Sequence, residues 1–281
     1  MLPELAASPG LMANCGFRVC ADVLPMTRYA LYFAPPPGTA CHDAGSTWLG
    51  RDAENDAQRL QPPIDGMPPS VLAALTTSAR RYGFHATLKA PFRLVAGCEE
   101  ADLLAMARRF CSTQHPVPLH DLAVHRQDDF LALCPAMHDA EVNALAMHCV
   151  GEFDTLRAAP HADELTRRRH AGLGTRGEEL LLRWGYPYVD EAYRFHMTLT
   201  DSLAAVDTAT VAALERAATV HFQPALTAGP MAIEALCVVK EDAPGAPLSI
   251  IARYGFQAEA SSHRPGRLGD GSVAPGASVK Q

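Results

Sequence analysis

Two short segments of this sequence carry residues suited to moving protons at a phosphate ester. One reads Arg81-Tyr82-Gly83-Phe84-His85-Ala86-Thr87-Leu88 and the other Tyr193-Arg194-Phe195-His196-Met197-Thr198-Leu199. Both contain Phe-His-x-Thr-Leu, and the two histidines stand 111 positions apart. A single histidine in such a segment is ordinarily a packing residue. Two in the same five-residue pattern are a chemical signal. Histidine, with an ordinary pKa of about 6.5, both gives and takes a proton near neutrality. Placed on opposite sides of a phosphorus, one neutral imidazole activates the attacking group while one imidazolium protonates the leaving oxygen. Each contributes on the order of 10²–10⁴ in rate.

The period of a strand explains the spacing. Residues i and i+2 of a strand share a face. In the first motif Tyr82, Phe84, Ala86 and Leu88 form one side, and Gly83, His85, Thr87 and Lys89 the other. In the second, Tyr193, Phe195, Met197 and Leu199 form the apolar side, and Arg194, His196, Thr198 and Thr200 the polar side. His85 and His196 are therefore the expected catalytic pair. Thr87 and Thr198 are expected to donate hydroxyl hydrogen bonds to the phosphate oxygens, with Lys89 and Arg194 neutralising charge. Tyr32, on the polar side of the strand Arg28–Ala34, lines the cleft or packs beneath it. This layout calls for no metal and no organic cofactor.

The flanking elements repeat. After the first motif come an amphipathic helix over Glu99–Thr113 and a hairpin, Leu119–Arg126 with Phe130–Pro135. After the second come a helix over Asp207–Val220 and a hairpin, Pro230–Lys240 with Pro247–Phe256. Strand, helix and strand pair thus occur twice, the mark of an internal duplication. Two lobes related by a pseudo-two-fold axis turn both polar faces into one cleft. The expected fold class is α+β: a duplicated bilobal domain with two mainly antiparallel sheets around a central cleft and helices outside. Helices are also expected over Pro69–Arg80 and Asp139–Ala158. Residues 160–188 fall outside the repeat and read as a helical insertion, whose run Arg167-Arg168-Arg169 is a solvated helix face or a lid that touches a second phosphate. Gly172 to Gly177 match G-x-G-x-x-G but follow a helix rather than a strand, so they read as a turn.

Composition narrows the function. The 281 residues carry a formal net charge of −7, against a broad footprint for long nucleic acid but not against a small anion. No apolar run reaches the length of a membrane helix, and the start lacks the pattern of a signal peptide, so a cytoplasmic protein is expected. The eight cysteines form no Cys-x-x-Cys pair and read as reduced thiols. Residues 1–26 lack periodicity and read as a leader, with Met26 as the expected true start. Residues 27–257 hold the bilobal domain. Residues 258–281, rich in Ser, Gly, Pro and Ala, read as a disordered tail.

His85-Ala86-Thr87 and His196-Met197-Thr198 resemble, position for position, the paired His-x-Thr/Ser motifs of the two-histidine (2H) phosphoesterase superfamily. The segments RYALYFAPP and RYGFHATLKAPF look like the branch of that superfamily found with phosphonate-degradation genes. The resemblance implies a metal-independent phosphodiesterase, a phosphoric diester hydrolase, acting on a small cyclic phosphate ester such as a cyclic ribose phosphate. Two alternatives stand beside it: a nucleotide or RNA-end 2′,3′-cyclic phosphodiesterase, and a phosphate-binding module without catalysis. In each the partner is a small phosphorylated molecule.

Overall fold

The computed structural model describes residues 27–257 except Ala171. The leader, the proposed start at Met26 and the tail fall outside the described residues. The described chain is mixed α+β, with nine strands and eight α-helices. In order these are β1 (Arg28–Phe33), α1 (Ala40–Leu49), α2 (Pro69–Leu75), α3 (Thr77–Tyr82), β2 (Ala86–Phe92), α4 (Glu100–Cys111), β3 (Val117–Leu119), β4 (Leu122–Gln127) and β5 (Phe130–Pro135). Then follow α5 (Ala140–Glu152), α6 (Ala162–Arg169), α7 (Thr175–Trp184), β6 (Met197–Thr198), α8 (Thr208–Thr227), β7 (Met231–Ile233), β8 (Ala235–Glu241) and β9 (Ser249–Gly255).

Seven strands form one antiparallel sheet in the order β4-β5-β6-β2-β1-β8-β9, and β3 pairs with β7 in a small separate ribbon. The expectation of two sheets facing across a cleft is corrected here. Ala86 of β2 pairs with Met197 of β6, which joins the motif strands edge to edge in the middle of a single sheet. The hairpin β4–β5 that follows the first motif lies beside β6, and the hairpin β8–β9 that follows the second lies on the β1 side.

Alternation sorts the sheet into two faces. Leu31, Phe33, Ala86, Leu88, Leu131, Leu133, Met197, Leu199, Leu236 and Val238 point to a common core. Helices close it with Leu103 and Phe110 of α4, Leu145 of α5 and Phe222 of α8. Completely burying one such side chain stabilises by about 1.5–3 kcal/mol relative to leaving it in water. Trp48 of α1 is fully buried, and its indole N–H donates to the Leu199 carbonyl at 2.9 Å, tying α1 to the end of the second motif. The opposite face is thinner, with Ala30, Tyr32, Ala34, Cys237, Val239 and Leu248 buried together.

Two helix expectations need adjustment. The helix anticipated over Pro69–Arg80 is broken at Thr76 into α2 and α3. That over Asp139–Ala158 ends at Glu152 and continues as a single 3₁₀ turn, Phe153–Leu156. Among the described residues, no helix is long and apolar enough to cross a membrane, and the six described cysteines are unpaired.

Candidate active site

Local backbone geometry sets each histidine. Both sit one residue ahead of their strands, not inside them, because the chain is still turning when it reaches them. Gly83 ends α3 with φ of 81°, a left-handed conformation that disfavours residues with a Cβ. A Cβ there would lie 2.4 Å from the Ala53 side chain. The turned carbonyl of Gly83 accepts a hydrogen bond from His85 Nδ1 at 2.8 Å. In the second motif the Arg194 carbonyl accepts from His196 Nδ1, also at 2.8 Å. A carbonyl only accepts, so Nδ1 carries the proton in both rings. In the neutral imidazoles Nε2 is therefore the free base.

The pairing of Ala86 with Met197 fixes the rest. In antiparallel register it puts His85 across from Thr198 and Thr87 across from His196. The histidines are then diagonal neighbours, about 7–8 Å apart between equivalent side-chain positions, a span one phosphate can bridge. Thr87 Oγ1 lies 3.2 Å from His85 Nε2. Adjoining hollows of about 850, 390 and 360 Å³ meet here. His85 and Thr198 line the first and last, Thr87 the first two, and His196 the last two. All four predicted catalytic residues thus face one cleft. A separate hollow of about 380 Å³ around His125 and His138 contains neither motif histidine nor motif threonine.

Aromatic rings hold the imidazoles. The Tyr32 ring stacks on His85 with centroids 3.7 Å apart, and Phe130 lies 5.5 Å from His196. Tyr32 is 2% exposed and lines the cleft. Burial pushes the His85 pKa down to about 4; the Gly83 hydrogen bond opposes this, and a charge on His196 adds to it. Burial also lowers the His196 pKa, against the hydrogen bond to Arg194. Both rings are therefore neutral at pH 7, ready to take protons rather than give them.

Lys89 does not reach the cleft. Tyr32 pairs with Thr87 but Leu31 pairs with Lys89, so β2 carries one extra residue at a bulge. The bulge reverses the parity of Lys89 and turns it to the helix side. There it is 3% exposed, and its ammonium donates to the Val150 carbonyl at 2.9 Å and lies 3.5 Å from Asp154. Burial lowers its pKa to about 8 despite Asp154. Arg194 lines the hollow beside His196, but its Nη1 donates to the carbonyls of Glu191 and Tyr193. Its first task is holding the turn that aims His196. Thr200, on the expected polar side, is buried and accepts the Leu131 N–H.

The cleft also holds residues to which the motifs gave no role. Arg28 and Arg81 line it while pairing with the fully buried Glu241 at 2.5 and 2.9 Å. The insertion supplies Arg167, Arg168 and Tyr186. Arg28 shares strand parity with Tyr32, a signal present in the sequence. Its partner Glu241 lies 213 positions away, beyond any local pattern.

Residues 87–249 match the model of the family described as "Protein of unknown function (DUF1045)". The chain belongs to this family. It is 48% identical over 246 residues to a Janthinobacterium protein (strain Marseille) named ribose 1,5-bisphosphate phosphokinase PhnN, covering 86% of this chain and 54% of that one. It is 41% identical over 209 residues to a Laribacter hongkongensis protein of the same name, covering 71% and 45%. This DUF1045 chain thus spans about half the length of the curated relatives it matches. The crystal structure of a Thermus thermophilus protein, TT0787, aligns with 83% of this chain and all of that one, at 15% identity and a TM-score of 0.39, too distant to bear on the fold. The relatives' name overturns one expectation. A phosphokinase transfers phosphoryl groups, so the assignment as a hydrolase, a cyclic phosphodiesterase, is withdrawn.

Proposed function

We propose that this DUF1045 chain binds a phosphorylated ribose between His85 and His196 and transfers its phosphoryl group to an acceptor hydroxyl: one histidine takes the proton of the hydroxyl as the new P–O bond forms, and the other gives a proton to the sugar oxygen as the old P–O bond breaks. The observation that carries the reading is the cross-strand square of two histidines and two threonines, with both Nε2 atoms left unprotonated by Nδ1–H bonds to carbonyls. His85 is the base, because burial and the neighbouring imidazole hold it neutral. His196 takes the acid role. A bound phosphate supplies the negative charge that favours its protonated form. Thr87 and Thr198 hold non-bridging oxygens.

Ribose as the sugar, and phosphonate metabolism as the setting, rest on the relatives' name and on the resemblance of RYALYFAPP and RYGFHATLKAPF. The sequence contains no G-x-x-x-x-G-K-[ST] loop, the phosphate cradle of P-loop kinases. We therefore assign the sugar phosphate, not a nucleotide, to this cleft. The order strand, helix, short strand and hairpin on either side of the β2–β6 pair supports membership of the two-histidine superfamily through an internal duplication.

Proton NMR of the histidine rings during titration with ribose 5-phosphate tests this. His85 and His196 are expected to shift and to titrate at higher pH in the complex. Shifts confined to other histidines, or no binding at millimolar sugar, would overturn it.

A further inference from the structure

Five arginines, Arg28, Arg81, Arg93, Arg167 and Arg168, line the same cavity as His85, Thr87 and Thr198. The chain as a whole carries a net charge of −7, so this concentration is local. The carboxylates among them are fewer: Asp163 and Glu164 on the wall, and Glu241 behind it. Glu241 is shared by Arg28 and Arg81, so that pair keeps an unmatched positive charge. Arg168 pairs with Glu164 at 2.9 Å and lies over the Tyr186 ring at 4.9 Å, yet its buried Nε has no partner. Arg93 touches His161 and the Ala159 carbonyl, and neither it nor Arg167 pairs with a carboxylate among the described residues.

We propose that this arginine wall is a second phosphate subsite, so that the substrate bears two phosphates, one held by the histidine–threonine square and one by the arginines. The proposal rests on the acid–base reading for the first phosphate only. Guanidinium forks suit phosphate because two parallel N–H donors match two oxygens. Arg28 and Arg81 are fixed in advance by Glu241, so little side-chain freedom is lost on binding. Arg167 and Arg168 come from α6, inside the insertion that breaks the repeat. The insertion thereby acquires a role: it brings positive charge over a cleft that the repeated elements alone build around one phosphate. A long polyanion fits poorly, because the basic surface is confined to one cavity in an acidic chain.

Calorimetry on the full chain with ribose 5-phosphate, ribose 1,5-bisphosphate and inorganic pyrophosphate tests the subsite. The bisphosphate is expected to bind at least tenfold tighter than the monophosphate, with the advantage shrinking as salt rises. In an Arg93→Ala/Arg167→Ala double variant, whose fold is checked by circular dichroism, that ratio should fall at least threefold. His85→Gln should weaken both sugars and leave the ratio standing. Pyrophosphate should lose affinity when the arginines are removed. Equal affinity for the two sugars, or a ratio unchanged in the folded arginine variant, overturns the subsite. So does failure of pyrophosphate to bind, even where ribose 5-phosphate still shifts the histidines. If pyrophosphate binding depends on the arginines while neither histidine responds to any sugar, the subsite stands and the acid–base reading falls.

Discussion

The Tyr32 ring lies flat on the His85 imidazole, with centroids 3.7 Å apart and planes within 18°. Tyr32 is opposite Thr87 across the β1–β2 pair, so the stack follows directly from strand register. It confines rotation of His85 about its side-chain bonds, while the Gly83 carbonyl fixes the ring's other edge. Position and tautomer are therefore set by different neighbours.

That separation predicts a contrast between two substitutions. Tyr32→Phe keeps the ring and should keep turnover within about threefold. Tyr32→Leu removes a stack worth about 0.5–1.5 kcal/mol and should lower turnover roughly tenfold by the same energy scale. Broadened or shifted His85 ring signals in Tyr32→Leu, without loss of the folded spectrum, would accompany the effect. Equal activity in the two variants would show that the stack only fills space.

Stability should depend on pH through the same histidine. Its folded pKa of about 4 lies below the ordinary value of 6.5. Between those values the unfolded chain binds more protons than the folded one, so stability rises with pH. The stabilising contribution is complete above about pH 6.5 and is lost as pH falls toward 4. Urea unfolding from pH 7 to pH 4 should show a decline on the order of 1–3 kcal/mol from this group. His85→Gln should flatten that part of the curve. An unchanged slope in the variant would place the titrating group elsewhere.

The sequence showed the site more clearly than the frame around it. Phe195, Met197 and Leu199 alternate with His196 and Thr198 because one sheet face is buried, and a period of two survives in any register. The same rule failed at Lys89, since a bulge is set by pairing with β1 and leaves no local mark. It also overextended both motif strands, because Gly83 and the 3₁₀ turn Asp190–Ala192 hold Tyr82 and Tyr193 outside them. Helix α1 went unread. ACHDAGSTWL is rich in small and polar residues, and its helix is secured by Thr39 at one end, Gly50 at the other and the burial of Trp48. Helix α8 runs past the expected end at Val220 and through Pro224 to Thr227, with Phe222 and Ala225 buried in its extension. The single sheet was not legible either, since it depends on β2 meeting β6 across 111 positions.

Division of labour within the histidine pair gives the most demanding prediction. Phosphoryl transfer from ribose 1,5-bisphosphate to an added alcohol, followed by phosphorus NMR, should fall about 10²–10⁴-fold in His85→Ala and in His196→Ala. The double variant should lose less than the product of the single losses, because the two rings act on one phosphate. The profile of kcat/KM against pH reports groups in the free protein. His85 must be neutral to act as base, so its limb falls as pH drops through about 4. His196 must be protonated to act as acid, and its pKa is also lowered, so the second limb falls as pH rises below the ordinary histidine value. The bell for kcat/KM should thus lie on the acid side of 6.5, and the bell for kcat should lie higher, because bound phosphate raises both values. His85→Ala should lose the acid limb and His196→Ala the basic limb. Thr87→Val and Thr198→Val should weaken turnover while keeping both limbs, since a threonine holds oxygens and moves no proton. A substrate with a more acidic leaving group should restore His196→Ala more than His85→Ala. Reversal of that preference would exchange the two roles, and near-normal turnover in both alanine variants would remove the pair from the chemistry altogether.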